Sequence, residues 1–146
     1  MDQLHRFSST FGRLERSLDR HVRRYAADLQ WDLLGRALAM TDCWLNIMPR
    51  GCAHSFHLHP QAVVSGTFYV TAPRGSAPLK FEDPRLGYMM AAPPRQAECA
   101  PESRAHIAYL PRAGRVILFE SWLRHEVPAQ AVDQPRISVS FNYHWM

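Results

Sequence analysis

Along the first forty residues, apolar side chains recur at steps of three and four: Phe11, Leu14, Leu18, Val22, Tyr25 and Leu29. Arg13, Glu15, Arg16, Asp19, Arg20, Arg23 and Arg24 fill the positions between them, so one apolar stripe runs along a solvated helix. The spacing predicts that helix over about 9–30, with Ser8, Ser9 or Thr10 capping its start. Leu33, Leu34, Ala37 and Leu38 would suit another helical turn or two, which leaves 31–40 ambiguous. From Cys43 onward the pattern changes to short apolar runs punctuated by Pro and Gly. Candidate strands are Cys43–Met48, Val63–Thr71, Pro78–Glu82, Ala105–Leu110, Arg115–Phe119 and Arg136–Tyr143, with shorter extended pieces near His57 and His125. The breakers between them include Pro49-Arg50-Gly51, Pro73-Arg74-Gly75, Asp83-Pro84, Pro93-Pro94 and the stretch from Pro128 to Pro135. About eight short strands at this spacing predict a mainly β fold, a barrel of the jelly-roll kind with the N-terminal helix packed on it. The segment from Leu86 to Ser103 reads as a long loop, the kind that serves as a lid or binding loop. Neither an internal repeat nor a second domain is visible, so residues 1–146 are expected to form one domain, with a helical segment over 1–40 and a jelly-roll core over 41–146.

Composition narrows the function classes. The chain has 146 residues, 47% hydrophobic and 21% charged, which supports a packed core and excludes disorder, coiled coil and collagen-like repeats. No apolar run approaches the ~20 residues of a membrane span, and the N-terminus lacks the apolar stretch of a secretory signal. Three cysteines at unrelated spacings, Cys43, Cys52 and Cys99, read as free thiols, and a cytoplasmic location is expected. The net charge of +4 invites a nucleic-acid reading. All the basic residues but Lys80 are arginines scattered among acids, however, and a real patch would be clustered. Neither a nucleic acid nor a membrane is therefore expected as partner. Unpaired strand edges of a small jelly roll leave a homodimer open.

The eight histidines carry more information, because three of them stand at 54, 57 and 59. In a strand, residues i and i+2 share a face, so the imidazoles of His57 and His59 would project into one space. Imidazole suits iron, zinc, copper and nickel, and two convergent rings are half of a metal site or more. His125 follows the most apolar strand, Val116-Ile117-Leu118-Phe119, and is placed to face the barrel interior as a third ligand. Arg136 and Ser138 share the face opposite the apolar row Ile137, Val139 and Phe141, and a guanidinium beside a hydroxyl makes a clamp for a carboxylate. His5 is expected in a frayed terminus, and His21 on the charged side of the helix. His106 and His144 fall in strands without nameable partners. Trp31, Trp44, Trp122 and Trp145 read as core or rim.

The order His-x-His, distal His, Arg-x-Ser resembles that of small bacterial and phage 2OG-Fe(II) oxygenases. Trp44-Leu45-Asn46, His57-Leu58-His59-Pro60, Ser65-Gly66-Thr67-Phe68-Tyr69-Val70, Phe81-Glu82-Asp83-Pro84-Arg85 and Arg136-Ile137-Ser138-Val139-Ser140-Phe141-Asn142 carry the resemblance, over roughly residues 40–146. It implies a double-stranded β-helix with Fe(II) near one mouth, held by His57, His59 and His125. It implies 2-oxoglutarate as cosubstrate, with Arg136 on its distal carboxylate, Ser138 assisting, and Asn46 and Tyr69 as further contacts. The wider superfamily prefers Asp or Glu where this chain has His59, so Asp83 or another acid stays open as the third ligand. Contacts to the oxidised substrate are expected from the mouth: His54, Arg50, Asp83, Arg85, Trp122 and the loop from Leu86.

Two other readings compete. Gly51, His57 and His59 fit the start of a cupin motif, but Pro60 to Val64 lack the acid such a motif wants and Arg136-x-Ser138 stays unexplained. A non-catalytic barrel for a small anion is the second, since fold alone never excludes it. A hydrolytic zinc site would need a general base beside the His pair, for which only Glu120 and Glu126 lie near His125.

Overall fold

A computed structural model describes residues 3–146. Helix α1 spans Ser9–Asp28, and its N-cap Ser8 accepts the Phe11 backbone N–H at 3.2 Å. Eight strands follow: β1 (Leu38–Met48), β2 (His54–His57), β3 (Val64–Thr71), β4 (Leu79–Glu82), β5 (His106–Tyr109), β6 (Val116–Glu120), β7 (His125–Val127) and β8 (Arg136–Trp145). They form two four-stranded antiparallel sheets, ordered β1-β8-β3-β6 and β2-β7-β4-β5. The expected long loop contains a short helix α2 (Leu86–Met89) and a 3-10 turn at Pro101–Ser103. The ambiguous stretch after α1 resolves as a turn, and β1 starts at Leu38, five residues ahead of the expected Cys43. Leu38 to Met40 extend because they pair with the end of β8, Leu38 opposite Trp145 and Met40 opposite Tyr143.

Alternation along the strands divides the apolar residues between two cores. The outward row of the larger sheet (Met40, Cys43, Val64, Val139, Phe141 and Tyr143) packs against Leu18 and Val22 of α1. The Tyr143 hydroxyl, buried there, donates to Asp19 Oδ1 at 2.7 Å and ties helix to sheet. Between the sheets lies the second core, of Met48, Ala77, Leu79, Phe81, Phe119 and Val127. His5 corrects the frayed-terminus expectation: it is 7% exposed, in a 3-10 turn over Leu4–Arg6. The turn is held down because Leu4 packs on the helix-sheet core and Gln3 bridges to Cys43.

Gly66 shows how closely the first core is packed. A Cβ there would stand 2.5 Å from Phe141 Cζ and 2.8 Å from the Ile117 carbonyl oxygen. Phe141 is fully buried and cannot yield. Gly66→Ala is expected to destabilise the fold by about 1–3 kcal/mol, the usual range for overpacking, as read by urea unfolding.

Candidate metal centre

The inner face of β8 carries Arg136, Ser138, Ser140 and Asn142, a polar row where the outer row is apolar. Arg136, Ser138 and Ser140, with Asn46 and Trp44 from β1, Thr67 from β3 and Phe119 from β6, line a cavity whose other wall carries His54, His57, His59 and His125. His57 is the last residue of β2 and stands opposite His125 of β7. His59 lies just beyond β2, so the expected shared strand face extends only to His57. What holds His59 in place is its backbone N–H, which donates to the Ser121 carbonyl at 3.1 Å.

The three imidazoles converge. Ring centroids are 4.3 Å apart for His57–His125, 5.1 Å for His59–His125 and 5.2 Å for His57–His59. One nitrogen from each lies within 4.8 Å of the others, and among the described residues this is the one His/Cys/Asp/Glu group so arranged. In each ring Nδ1 already has an acceptor. His57 Nδ1 lies 2.7 Å from the Ser55 carbonyl, and His125 Nδ1 lies 2.8 Å from the Leu123 carbonyl. His59 Nδ1 lies 2.6 Å from Asn142 Oδ1. A carbonyl oxygen only accepts, so each Nδ1 carries a proton, which leaves Nε2 as the nitrogen of each ring that can take a metal. For His59 the assignment rests on Asn142, whose Nδ2 donates to Asp42 Oδ2 at 3.4 Å and thereby turns its oxygen to the ring. Ser65 steadies the same oxygen, donating to it at 2.8 Å.

The electrostatics point the same way. Burial pushes His125 down to about 4, and the positive charge that would build up with His57 and His59 adds to the shift. His59 is lowered by burial, against the opposing pull of Asn142, and His54 is lowered by burial and then by His57. Neutral imidazoles are the form that binds a metal. The shift also sets a stability profile. Between pH 6.5 and about 4 the unfolded chain takes up a proton that folded His125 refuses, so stability falls with pH across that window. Metal-free protein is expected to lose up to about 3 kcal/mol from this residue over the window. Urea titrations at several pH values check it, and a slope that survives in His125→Leu would refute the assignment.

Arg136 lies deeper and is 3% exposed. Its guanidinium has Met48 Sδ at 3.0 Å and the Tyr69 hydroxyl at 3.4 Å, and it lies 4.9 Å over the Tyr69 ring. Its Nε has no partner, and no carboxylate pairs with it among the described residues. A buried guanidinium without a counter-ion is a costly arrangement unless an anion completes it. Ser138, buried, is opposite both Asn46 and Tyr69, and Asn46 Nδ2 donates to Ser140 Oγ at 2.8 Å.

His54 lies at the rim of this cavity. Asp83, Arg85 and Trp122 line no part of it, which corrects their expected place at the mouth. Asp83 caps a turn after β4, where Oδ1 accepts the Arg85 N–H at 2.7 Å and Oδ2 accepts Arg85 Nη2 at 2.7 Å. Asp83 is not part of the group of converging ligand atoms. Trp122 sits in the turn after β6, 53% exposed, on other cavities. Arg50 pairs with Asp133 at 2.7 Å. Sequence reasoning gave no role to Asn142, Ser65 or Asp42, although the unbroken polar alternation from Arg136 to Asn142 was a usable signal.

Two facing antiparallel sheets with three converging histidines in the cavity between them make a double-stranded β-helix with a candidate metal centre. The chain belongs to the family described as "Putative 2OG-Fe(II) oxygenase", whose model matches residues 42–142, and iron and 2-oxoglutarate are the cofactors of that family. No curated protein matches the sequence. Among solved structures, HygX from Streptomyces hygroscopicus, with nickel and 2-oxoglutarate bound, has a TM-score of 0.66 at 14% identity, over 97% of this chain and 69% of that one. A Pseudomonas putida prolyl-4-hydroxylase has a TM-score of 0.63 at 17% identity, over 94% and 68%. An oxidoreductase of the 2OG-Fe(II) oxygenase family from Burkholderia pseudomallei has 0.56 at 18%, over 75% and 46%. The chain thus spans about half to two thirds of the length of these proteins. No helix among the described residues is long and apolar enough to cross a membrane.

Proposed function

We propose that this chain is an Fe(II)/2-oxoglutarate-dependent oxygenase in which His57, His59 and His125 hold the metal through Nε2 and Arg136 receives the distal carboxylate of 2-oxoglutarate. The observation that carries the reading is Arg136, a buried cation with an orphaned Nε and no counter-ion among the described residues, in the same cavity as three converging imidazoles. Nitrogen donors of this kind suit iron, and a planar guanidinium suits a carboxylate. When bound, the metal and cosubstrate would supply oxidative chemistry in which dioxygen converts 2-oxoglutarate to succinate and carbon dioxide and oxidises a second substrate. The chain's own residues prepare that site. Ser55, Leu123 and Asn142 fix the three imidazole tautomers, and Phe119, packed 4.6 Å from the His125 ring, excludes water behind it. Ser138 and Asn46, which line the cavity with Arg136, and Tyr69, whose hydroxyl lies 3.4 Å from the guanidinium, would contact the cosubstrate. His54 at the rim would meet the substrate.

Anaerobic addition of Fe(II) and then 2-oxoglutarate to metal-free protein tests the proposal. A visible charge-transfer band is expected, absent in His125→Ala and in Arg136→Ala. Iron binding without a band would favour a three-His metalloenzyme of another type. Absence of metal binding would leave a barrel that binds small anions.

A further inference from the structure

A second cavity, of about 300 Å³, lies outside the barrel at the end of the larger sheet, and it shares no lining residue with the histidine cavity. Its walls carry three of the four tryptophans of the chain, Trp31, Trp122 and Trp145, together with Leu33, Leu38 and Val63. Two carboxylates, Glu120 and Asp32, complete it. The three indoles come from separate parts of the chain: the turn after α1, the turn after β6, and the last residue of β8.

Local structure holds this arrangement. Trp145 Nε1 donates to the Leu33 carbonyl at 3.2 Å, and Ala37 exchanges two backbone hydrogen bonds with Met146. Trp31 packs edge-on against Tyr25 at 6.5 Å. Asp32 Oδ1 accepts the Leu34 N–H at 2.9 Å, which holds its carboxylate in a tight turn. Gln30, Leu34 and Gly35 in this turn all have positive φ, so a strained segment is spent on presenting Trp31 and Asp32. Glu120 is half-buried on the outward face of β6, and among the described residues no hydrogen bond or ion pair engages its carboxylate. Indole faces attract cations through their quadrupole, and a carboxylate facing the same space adds a Coulombic pull. One of these rings already draws a cation, since the Arg36 guanidinium lies 4.9 Å from the Trp145 centroid; Arg36 does not line the cavity.

We propose that the Trp31/Trp122/Trp145 cavity, with Glu120 and Asp32, is a binding site for a small alkylated ammonium ion. Alkylated ammonium fits better than a bare one, because methyl groups satisfy the apolar walls while the diffuse charge needs few hydrogen-bond acceptors. The site stands apart from the histidine cavity and does not depend on the function proposed for it.

The test is an NMR titration of the full chain with indole-¹⁵N-labelled tryptophan, using choline chloride as probe at constant ionic strength. The indole resonances, assigned by single Trp→Phe variants, report each ring separately. Those of Trp31, Trp122 and Trp145 are expected to shift together along one saturating curve, while Trp44, in the histidine cavity, stays still. The neutral isostere 3,3-dimethylbutan-1-ol is expected to bind at least about fivefold more weakly, and Glu120→Gln to weaken choline by a similar factor, since both remove charge attraction and leave shape. Equal binding of choline and the alcohol would overturn the proposal, reducing the cavity to an apolar hollow. So would shifts that never saturate, or a response centred on Trp44. Trp122→Phe, at an exposed position, provides a second variant whose folding is not in question, and it is expected to weaken choline as well.

Discussion

Arg136→Met is expected to make the metal-free, cosubstrate-free protein more stable and to abolish its response to 2-oxoglutarate. The two effects have one cause. In the folded chain the guanidinium is removed from water and meets only a thioether, a phenol and the face of an aromatic ring. Replacing buried charge by an apolar side chain of similar volume is often stabilising by about 1–4 kcal/mol, and here no partner charge is left stranded by the change. Methionine also keeps contact with Met48 and Tyr69. With Fe(II) and 2-oxoglutarate present the order reverses. Loss of one member of a buried charge pair costs about 2–5 kcal/mol, which is roughly 30-fold to several thousand-fold in affinity. The wild-type chain should gain about 2.7 kcal/mol at a 2-oxoglutarate concentration a hundred times its Kd, and the variant almost nothing. Urea unfolding with and without the cosubstrate measures both. A variant that is less stable without ligand and still stabilised by 2-oxoglutarate would show that Arg136 serves packing alone.

The same residue shows what a sequence can disclose. Arg136 and Ser138 are legible as a pair because strand alternation is strict and their apolar neighbours declare which face is which. The helix stripe, the candidate strands and the family resemblance followed from equally regular patterns, and the family match over residues 42–142 agrees with them. Legibility fails where the chain leaves its period. Asp83, Arg85 and Trp122 stand at turns, and a turn re-aims a side chain by backbone dihedrals that alternation does not encode. His59 illustrates the opposite case: it reaches the site although it lies beyond β2, with its backbone N–H tied to the Ser121 carbonyl. The burial of His5 is not legible locally, because the turn that carries it is held by distant contacts: Leu4 packs on the helix-sheet core and Gln3 bridges to Cys43. The tryptophan cavity is not legible for the same reason, being assembled from two turns and one strand end that meet only in the fold.

His59→Ala is expected to weaken metal binding by more than about 100-fold, whereas Asp83→Asn should leave it unchanged within about twofold. The contrast decides whether this chain uses a third imidazole where the wider superfamily prefers a carboxylate. Geometry favours the imidazole: His59 lies 5.1 and 5.2 Å from its partner rings, while both Asp83 oxygens are engaged by Arg85. His59 also has the most elaborate support of the three imidazoles. Asn142 accepts its Nδ1–H, Asp42 orients Asn142, and Ser65 links the amide oxygen to Ser121 at 2.8 Å. Outer contacts of this kind are worth about 10–100-fold in metal affinity by themselves. Asn142→Leu should therefore fall between the two, by about 10-fold or more, with His59 still present but free to turn. Anaerobic Fe(II) titration of the three variants supplies the affinities, and urea unfolding of the metal-free proteins establishes that each is folded. If Asp83→Asn lost the metal and His59→Ala kept it, the third ligand would be the acid and the turn after β4 would have to rearrange to deliver it. If all three variants bound iron as the parent does, the metal would rest on His57 and His125 alone, and the network around His59 would be structural.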